Sequence, residues 1–259
     1  MTQTLAFPVL LELIEERATA FRAAVAAAPD LDATVPGCPD WTLYDLAQHL
    51  GGGERLWSHN VAAGPAGGPS PEGLAAKAEP APRELDALLA WLAAGTEQLV
   101  STLRELGEDA PCWTWWAEGA TPQTAGGVAR HRVQESAVHT YDAQSAIGAP
   151  QALPERIALD GVEEFLETCV TTTVAWPHQP VIGDFEATEG RVWRLTLDAA
   201  GAAAVALAPG EEHAAPTGSV RGTASDLVLM FYGRLPIESV KGDGEQELFH
   251  LLKDWDPEA

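Results

Sequence analysis

The 259-residue chain has little cysteine and little positive charge, and each shortage closes off a class of function. Its three cysteines, Cys38, Cys112 and Cys169, are odd in number, far apart and form no CxxC. That pattern argues against a disulfide framework or a cysteine-rich zinc site and suits a reducing cytosol. Fifteen Lys and Arg face 38 Asp and Glu, for a formal charge of −23. So acidic a surface repels phosphate backbones and anionic lipid heads, which makes nucleic acid and membrane surfaces poor partners. No stretch offers the roughly 20 apolar residues of a membrane span. The opening "MTQTLAFPVLLELIEERATAF" lacks the basic start and long apolar core of a signal peptide, and Glu12, Glu15, Glu16 and Arg17 interrupt its one apolar run. A cytoplasmic protein is expected. Walker loops, Gly-x-Gly-x-x-Gly after a strand and Gly-x-Ser-x-Gly are also missing, so nucleotide and serine-hydrolase chemistry have no support.

What is present is an ordinary 46% apolar fraction, enough for a core and not the composition of a disordered chain. The first ~150 residues read as helices. Val9, Leu10, Leu13, Ile14, Ala18 and Phe21 form a helical stripe within 8–28. "VPGCPD" breaks the chain, and Thr42 with Asp45 three positions on predicts a capping box that opens a second helix through Leu46, Leu50 and Trp57. A Gly/Pro-rich loop follows at 63–73. Leu85, Leu88, Leu89, Leu92, Leu99, Leu103 and Leu106 mark a third helix. A fourth runs from about Val128 to Ala146 and stops at "GAP". Four long helices predict a bundle over 1–149. From 150 to 259 the pattern changes to an amphipathic helix across 154–173, a hairpin around "AAGA", a strand leading into a helix opened by Thr223 or Ser225, and a short closing helix. This is the pattern of a second, α+β domain.

The segment "RHRVQESAVHTYDAQSA" carries the chemistry. Glu135 and His139 stand four apart, which on a helix puts both on one face, close enough to share one ion. The bland alternative is a solvated ion pair. His131 extends the pair into an evenly spaced ladder whose ends are about 12 Å apart, so one ion cannot use both histidines and one is a bystander. A third ligand could be His49, which lies on the inward side of the second helix, although the spacing alone favours a core-edge histidine bonded to a backbone carbonyl. "GGG" at 51–53 follows it, and glycine inside a helix costs about 0.8–1.0 kcal/mol against alanine, so three in a row need a close approach or a kink to explain them.

"CPDWTLYDLAQHL" and "RVQESAVHTYDAQSAIGAP", together with "CWTWW" and "GTASDLVLMFYGRLP", resemble in order the motifs of the mycothiol-dependent maleylpyruvate isomerase family, one of the DinB-like helical bundles. Trp41, Thr42, Leu46 and His49 fit its first motif, and Glu135, His139 and Asp142 its second. The resemblance spans nearly the whole chain and implies a DinB-like four-helix bundle followed by a sterol-carrier-protein-like α+β domain. It implies a divalent metal, usually zinc, on His49, Glu135 and His139, with one coordination position left for the thiol of mycothiol. His131 has no place in that pattern. Asp142 would orient His139 or a neighbour from behind, or is an ordinary helix carboxylate.

The implied reaction is thiolate addition to the cis double bond of a maleylpyruvate-like acid, rotation, and expulsion of the thiol. Arg234 matches a family arginine and would clamp the substrate carboxylate, unless it is a surface arginine in a helix's last turn. Trp113, Trp115 and Trp116 would wall the pocket or serve as core. Cys38, with no base at a recognisable spacing, reads as a small buried hydrophobe. Two rival functions remain: a mycothiol S-transferase acting on an electrophilic small molecule, and a non-enzymatic binding protein or sensor using the α+β half.

Overall fold

The computed structural model describes residues 5–117, 119–208, 210 and 213–255. These divide into two compact units, one of residues 5–117 with 122–152 and the other of 119–121 with 153–255.

The first unit is helical. Its elements are α1 (Phe7–Ala27), a small hairpin of β1 (Thr34–Val35) and β2 (Cys38–Thr42), α2 (Leu43–Ala63), α3 (Pro71–Ala78), α4 (Leu85–Leu106) and α5 (Ala125–Ala146). The four long helices make the bundle: α1 and α2 each pack against both α4 and α5. Phe21, Leu43, Leu46, Leu50, Leu88 and Leu92 meet in its core, all 2% exposed or less. Burying each such side chain is worth about 1.5–3 kcal/mol.

Two local expectations need correction. "VPGCPD" does more than break the chain: it turns the β1–β2 hairpin that delivers the backbone to Thr42. The loop read over 63–73 ends earlier, because Ser70 accepts from the Gly73 amide and Pro71 opens α3. Serine followed by proline is a helix start, since proline at the first position gives up a donor that has no partner there anyway.

Helix α5 starts three residues before the expected Val128, capped by Thr124, which accepts from the Gly127 amide. It is buried around most of its circumference although Arg130, His131, Arg132, Gln134, His139 and Asp142 lie on it. A helix with that many buried polar groups is not built for packing alone, because each must find a partner or carry a desolvation cost.

The second unit is α+β. Helix α6 (Glu155–Phe165) runs into a π-helical turn, Leu166–Val170, so the helix expected across 154–173 is shorter and ends differently. Strands β3 (Val181–Ala187), β4 (Val192–Asp198), β5 (Gly201–Ala206), β6 (Gly218–Gly222) and β7 (Lys241–Gly244) form one sheet in the order β5-β4-β3-β6-β7. The pairs are antiparallel except β3–β6, which is parallel. The expected hairpin is β4–β5, and α7 (Ala224–Phe231) opens with a capping box in which Thr223 and Asp226 exchange hydrogen bonds. Helix α8 (Glu247–Asp254) is the expected closing helix. No helix among the described residues is long and apolar enough to cross a membrane.

Candidate metal centre

His49 stands in the second turn of α2, and its placement begins with the cap before it. Thr42 Oγ1 accepts from the Asp45 amide at 3.2 Å, and Asp45 Oδ2 accepts from the Thr42 amide at 2.9 Å. The two bonds satisfy backbone donors that a helix start leaves open. The Thr42 hydroxyl also donates to Asp45 Oδ2 at 2.6 Å, and this bond first, then that from the Thr42 amide, holds the Asp45 carboxyl below its usual pKa. With the helix started there, Leu46 and Leu50 turn into the core and His49 turns toward α5. The Trp41 ring lies 4.8 Å from the His49 ring, centroid to centroid, and limits where that imidazole can go.

The "GGG" that follows reflects close approaches at its first two positions. A Cβ at Gly51 would collide with the Trp91 and Leu92 side chains of α4. One at Gly52 would lie 2.9 Å from the Lys77 carbonyl oxygen at the end of α3, and one at Gly53 3.4 Å from Arg132 Nη1 on α5. Gly51 and Gly52 thus let two neighbours approach the backbone of α2, while Gly53 faces the Arg132 guanidinium at ordinary contact distance.

On α5, Glu135 and His139 share a face as their spacing requires. Glu135 Oε2 lies 3.6 Å from His49 Nε2 and 3.8 Å from His139 Nε2. One ligand atom from each of the three residues falls within 4.8 Å of the others. A tetrahedral zinc with bonds near 2.0–2.1 Å asks for donors roughly 3.3–3.4 Å apart, so small side-chain rotations close the set around one ion. Two imidazoles and one carboxylate are a donor set suited to zinc or another first-row divalent ion.

The protonation states favour a cation as well. His49 titrates below its usual value, because burial disfavours its charged form and the nearby His139 and Arg132 add to that against the pull of Glu135. Burial pushes Glu135 the other way, yet its carboxyl is held well below the usual range by the His49 ring and by positive charge at His139, Arg132 and His131. A neutral imidazole and an ionised carboxylate are the forms that bind a metal.

Behind the triad, Asp142 is fully buried, and its Oδ2 lies 2.9 Å from His139 Nδ1. With Nδ1–H donating to Asp142, Nε2, the nitrogen facing Glu135, keeps its lone pair for a metal ion. On the other side, Arg132 Nη1 donates to Glu135 Oε2 at 3.3 Å from a guanidinium side chain only 2% exposed.

His131 does not join the triad. Its ring lies 5.1 Å from Trp116 and 5.6 Å from Trp115, and Trp57 stacks on Trp113 in the same group at 6.3 Å. Trp116 is buried and Trp115 exposed, so this cluster, one helical turn from Glu135, mixes core with surface. Arg234 belongs to the α+β unit, just past α7 rather than in its last turn, and its Nη1 donates to the Tyr232 carbonyl at 2.6 Å. Cys38 lies half-buried on β2 against the bundle core.

Two charged neighbours escape a reading of the sequence. Arg132 could have been found from its Arg-x-x-Glu spacing with Glu135, one helical turn apart. Glu54 gives no such signal: it follows "GGG" and looks like a solvated helix residue, yet it is 2% exposed and accepts from the Thr96 hydroxyl at 3.0 Å.

Fold and site together define a protein of a helical and an α+β unit with a candidate metal centre in the helical one. Residues 11–144 match the mycothiol maleylpyruvate isomerase N-terminal domain, and residues 156–250 match the MDMPI C-terminal domain. The chain belongs to the mycothiol maleylpyruvate isomerase family and is an enzyme. Among solved structures it is similar to the mycothiol-dependent maleylpyruvate isomerase, at 18% identity and a TM-score of 0.60, and to a histidine-to-alanine mutant of it, at 16% identity and 0.62. Both alignments cover 95% of this chain and 97% of the other, and at such identities they establish the fold. No curated protein matches the sequence.

Proposed function

We propose that the protein is a cytoplasmic, metal-dependent isomerase that uses mycothiol to convert the cis double bond of a maleylpyruvate-like acid to trans. The observation that carries this reading is that ligand atoms of His49, Glu135 and His139 lie within 4.8 Å of one another, with Glu135 Oε2 3.6 Å from His49 Nε2 and 3.8 Å from His139 Nε2. Family membership supports the thiol and the reaction class. A divalent cation held by the three would supply the Lewis acidity that presents a thiol as its thiolate at neutral pH.

The protein's own residues do the rest. His49 offers a neutral nitrogen and His139 its Nε2, Glu135 contributes the negative charge that retains a dication, and Asp142 fixes the ring of His139. Three protein ligands leave a coordination position open, which distinguishes a catalytic from a structural site. In this reading Arg234 clamps the substrate carboxylate, while Trp113 and Trp115 wall the pocket.

Turnover with purified mycothiol and maleylpyruvate tests the reaction. The expected result is trans product with all thiol recovered and no turnover without thiol. Net loss of thiol in step with product would show an S-transferase instead. Absence of turnover with every cis-enoic acid offered, by a zinc-loaded protein, would contradict the isomerase reading.

One observation favours a second activity. The α+β unit has a partly open, mainly apolar cavity of about 220 Å³ whose lining includes Phe165, Phe185, Met230, Phe231, Phe249 and Trp255. A small-molecule binding protein would use this cavity, and its ligand would bind equally well to His49→Ala. Titration with an apolar fluorescent probe separates the two readings.

A further inference from the structure

We infer that Arg132 is a positioning residue for the metal centre, holding the Glu135 carboxylate in the orientation in which it converges with His49 and His139. The inference rests on the metal-centre reading above and extends it to a residue that makes no contact with the ion itself.

The first observation is aim. Oε2 of Glu135 is the oxygen that faces both histidine nitrogens, and the same oxygen accepts from Arg132 Nη1 at 3.3 Å. A carboxylate on a glutamate side chain has three rotatable bonds and no intrinsic reason to stop in one orientation. Fixing it in advance removes an entropic cost from ion binding. The i,i+3 spacing on α5 sets the length of the contact, and because both residues sit on one rigid helix the geometry does not depend on a loop.

A second observation is how the guanidinium is accommodated. Arg132 is among the largest fully buried side chains of the protein, and burying its charge is costly. Its Nε and Nη2 find no hydrogen-bond acceptor among the described residues. An arginine placed for stability alone would spread its fork over two or more acceptors. This one spends a single donor, on the ligand oxygen. The guanidinium packs beside α2 at Gly53, where a Cβ would meet Nη1 at 3.4 Å and Nη2 at 3.7 Å, ordinary contact distances. The buried carboxyl of Glu54 on α2 also feels this charge, and Arg132 is its strongest opposing one. Arg132 makes its hydrogen bond, however, to Glu135.

The test is zinc affinity, measured by competition with a chromophoric chelator on purified full-length protein, with circular dichroism to confirm folding. Removing a partner of a metal ligand typically weakens metal binding about 10–100-fold. Arg132→Gln is expected to fall in that range. Arg132→Lys keeps the charge but not the planar fork, and is expected to lose less than Arg132→Gln while staying weaker than wild type. The cobalt(II)-loaded variants should also show a changed visible spectrum, a readout of ligand geometry that a merely structural role would leave alone.

If Arg132→Gln does not fold, Arg132→Lys decides: affinity and cobalt spectrum equal to wild type overturn the inference. Folded Arg132→Gln with wild-type zinc affinity overturns it as well, and leaves the metal centre standing. Wild-type protein that binds no zinc overturns the metal centre, and this inference falls with it.

Discussion

Glu54 is the residue where burial and charge conflict most sharply. Burial raises its pKa from the ordinary 4.5 to about 7, and the charges of Arg132 and Arg55 and the Thr96 hydroxyl offset only part of that. Its consequence for stability has a definite sign. Below pH 4.5 the carboxyl is protonated whether the chain is folded or not, and contributes nothing. Between 4.5 and 7 the unfolded chain has lost the proton while the folded one keeps it, so stability falls as pH climbs through that window and levels above it. Glu54→Gln removes this decline. Its melting temperature relative to wild type should rise steadily from pH 4.5 to 7.5; a constant offset across the range would contradict the burial argument.

Residue scale is also where the site was most legible. Glu135 and His139 announce themselves by a spacing of four, and Asp142 follows at three. Their chemistry is one-dimensional, because a single helix holds all three. His49 was only half visible: the sequence puts it on the inward side of α2 but cannot say that α5 lies opposite. The burial of Arg132 and Glu54 is invisible for a stronger reason. An arginine and a glutamate on helices read as solvated by default, and only the assembled bundle shows both buried.

At the scale of elements, the second helix is the part on which the site most depends. Its cap starts the turn that aims His49, so Thr42→Ala, which deletes the hydroxyl of the capping box, should cost about 0.5–2 kcal/mol in denaturant unfolding. Its glycines can be told apart. Gly52→Ala sets a Cβ 2.9 Å from the Lys77 carbonyl, backbone that cannot swing away, and should destabilise despite alanine's better helix propensity. Gly53→Ala meets Arg132 Nη1 only at ordinary contact distance, 3.4 Å, and should be neutral or stabilising by up to ~1 kcal/mol. Equal effects of the two substitutions would refute the claim that each glycine serves a different neighbour.

The same scale shows why some elements were read and others missed. Helix α4 repeats leucine over about six turns, from Leu85 to Leu106, which leaves no doubt about period. Strand β7, "KGDG", holds no strand-forming side chain and is exposed throughout; only its register with β6 makes it a strand. Strand β3 hides its alternation because Asp184 is buried, paired by two hydrogen bonds with Arg194 of the neighbouring strand. That compensation is tertiary and has no signature in the segment itself. The π-helical turn after α6 is equally silent, since "LETCV" reads as one more turn of the same helix.

For the whole molecule, the dominant fact is a charge of −23. Mutual repulsion among exposed carboxylates opposes the compact state, and the Debye length falls from about 30 Å at 0.01 M salt to about 8 Å at 0.15 M. Melting temperature should therefore rise over that range, and a flat or falling trend would show that the acidic groups are already compensated locally. The same surplus of carboxylates is a reason to test metal binding by variant rather than by stoichiometry alone, since exposed acidic groups collect cations weakly.

The central claim is that α2 and α5 together hold one metal ion. Its most direct measurement is the zinc content of dialysed wild-type protein beside His49→Ala, Glu135→Ala and His139→Ala, each shown to be folded. The account predicts about one zinc per chain in the wild type and a sharp loss in every variant. Folded wild-type protein that holds no metal after zinc is supplied, or variants that retain it undiminished, would contradict the account.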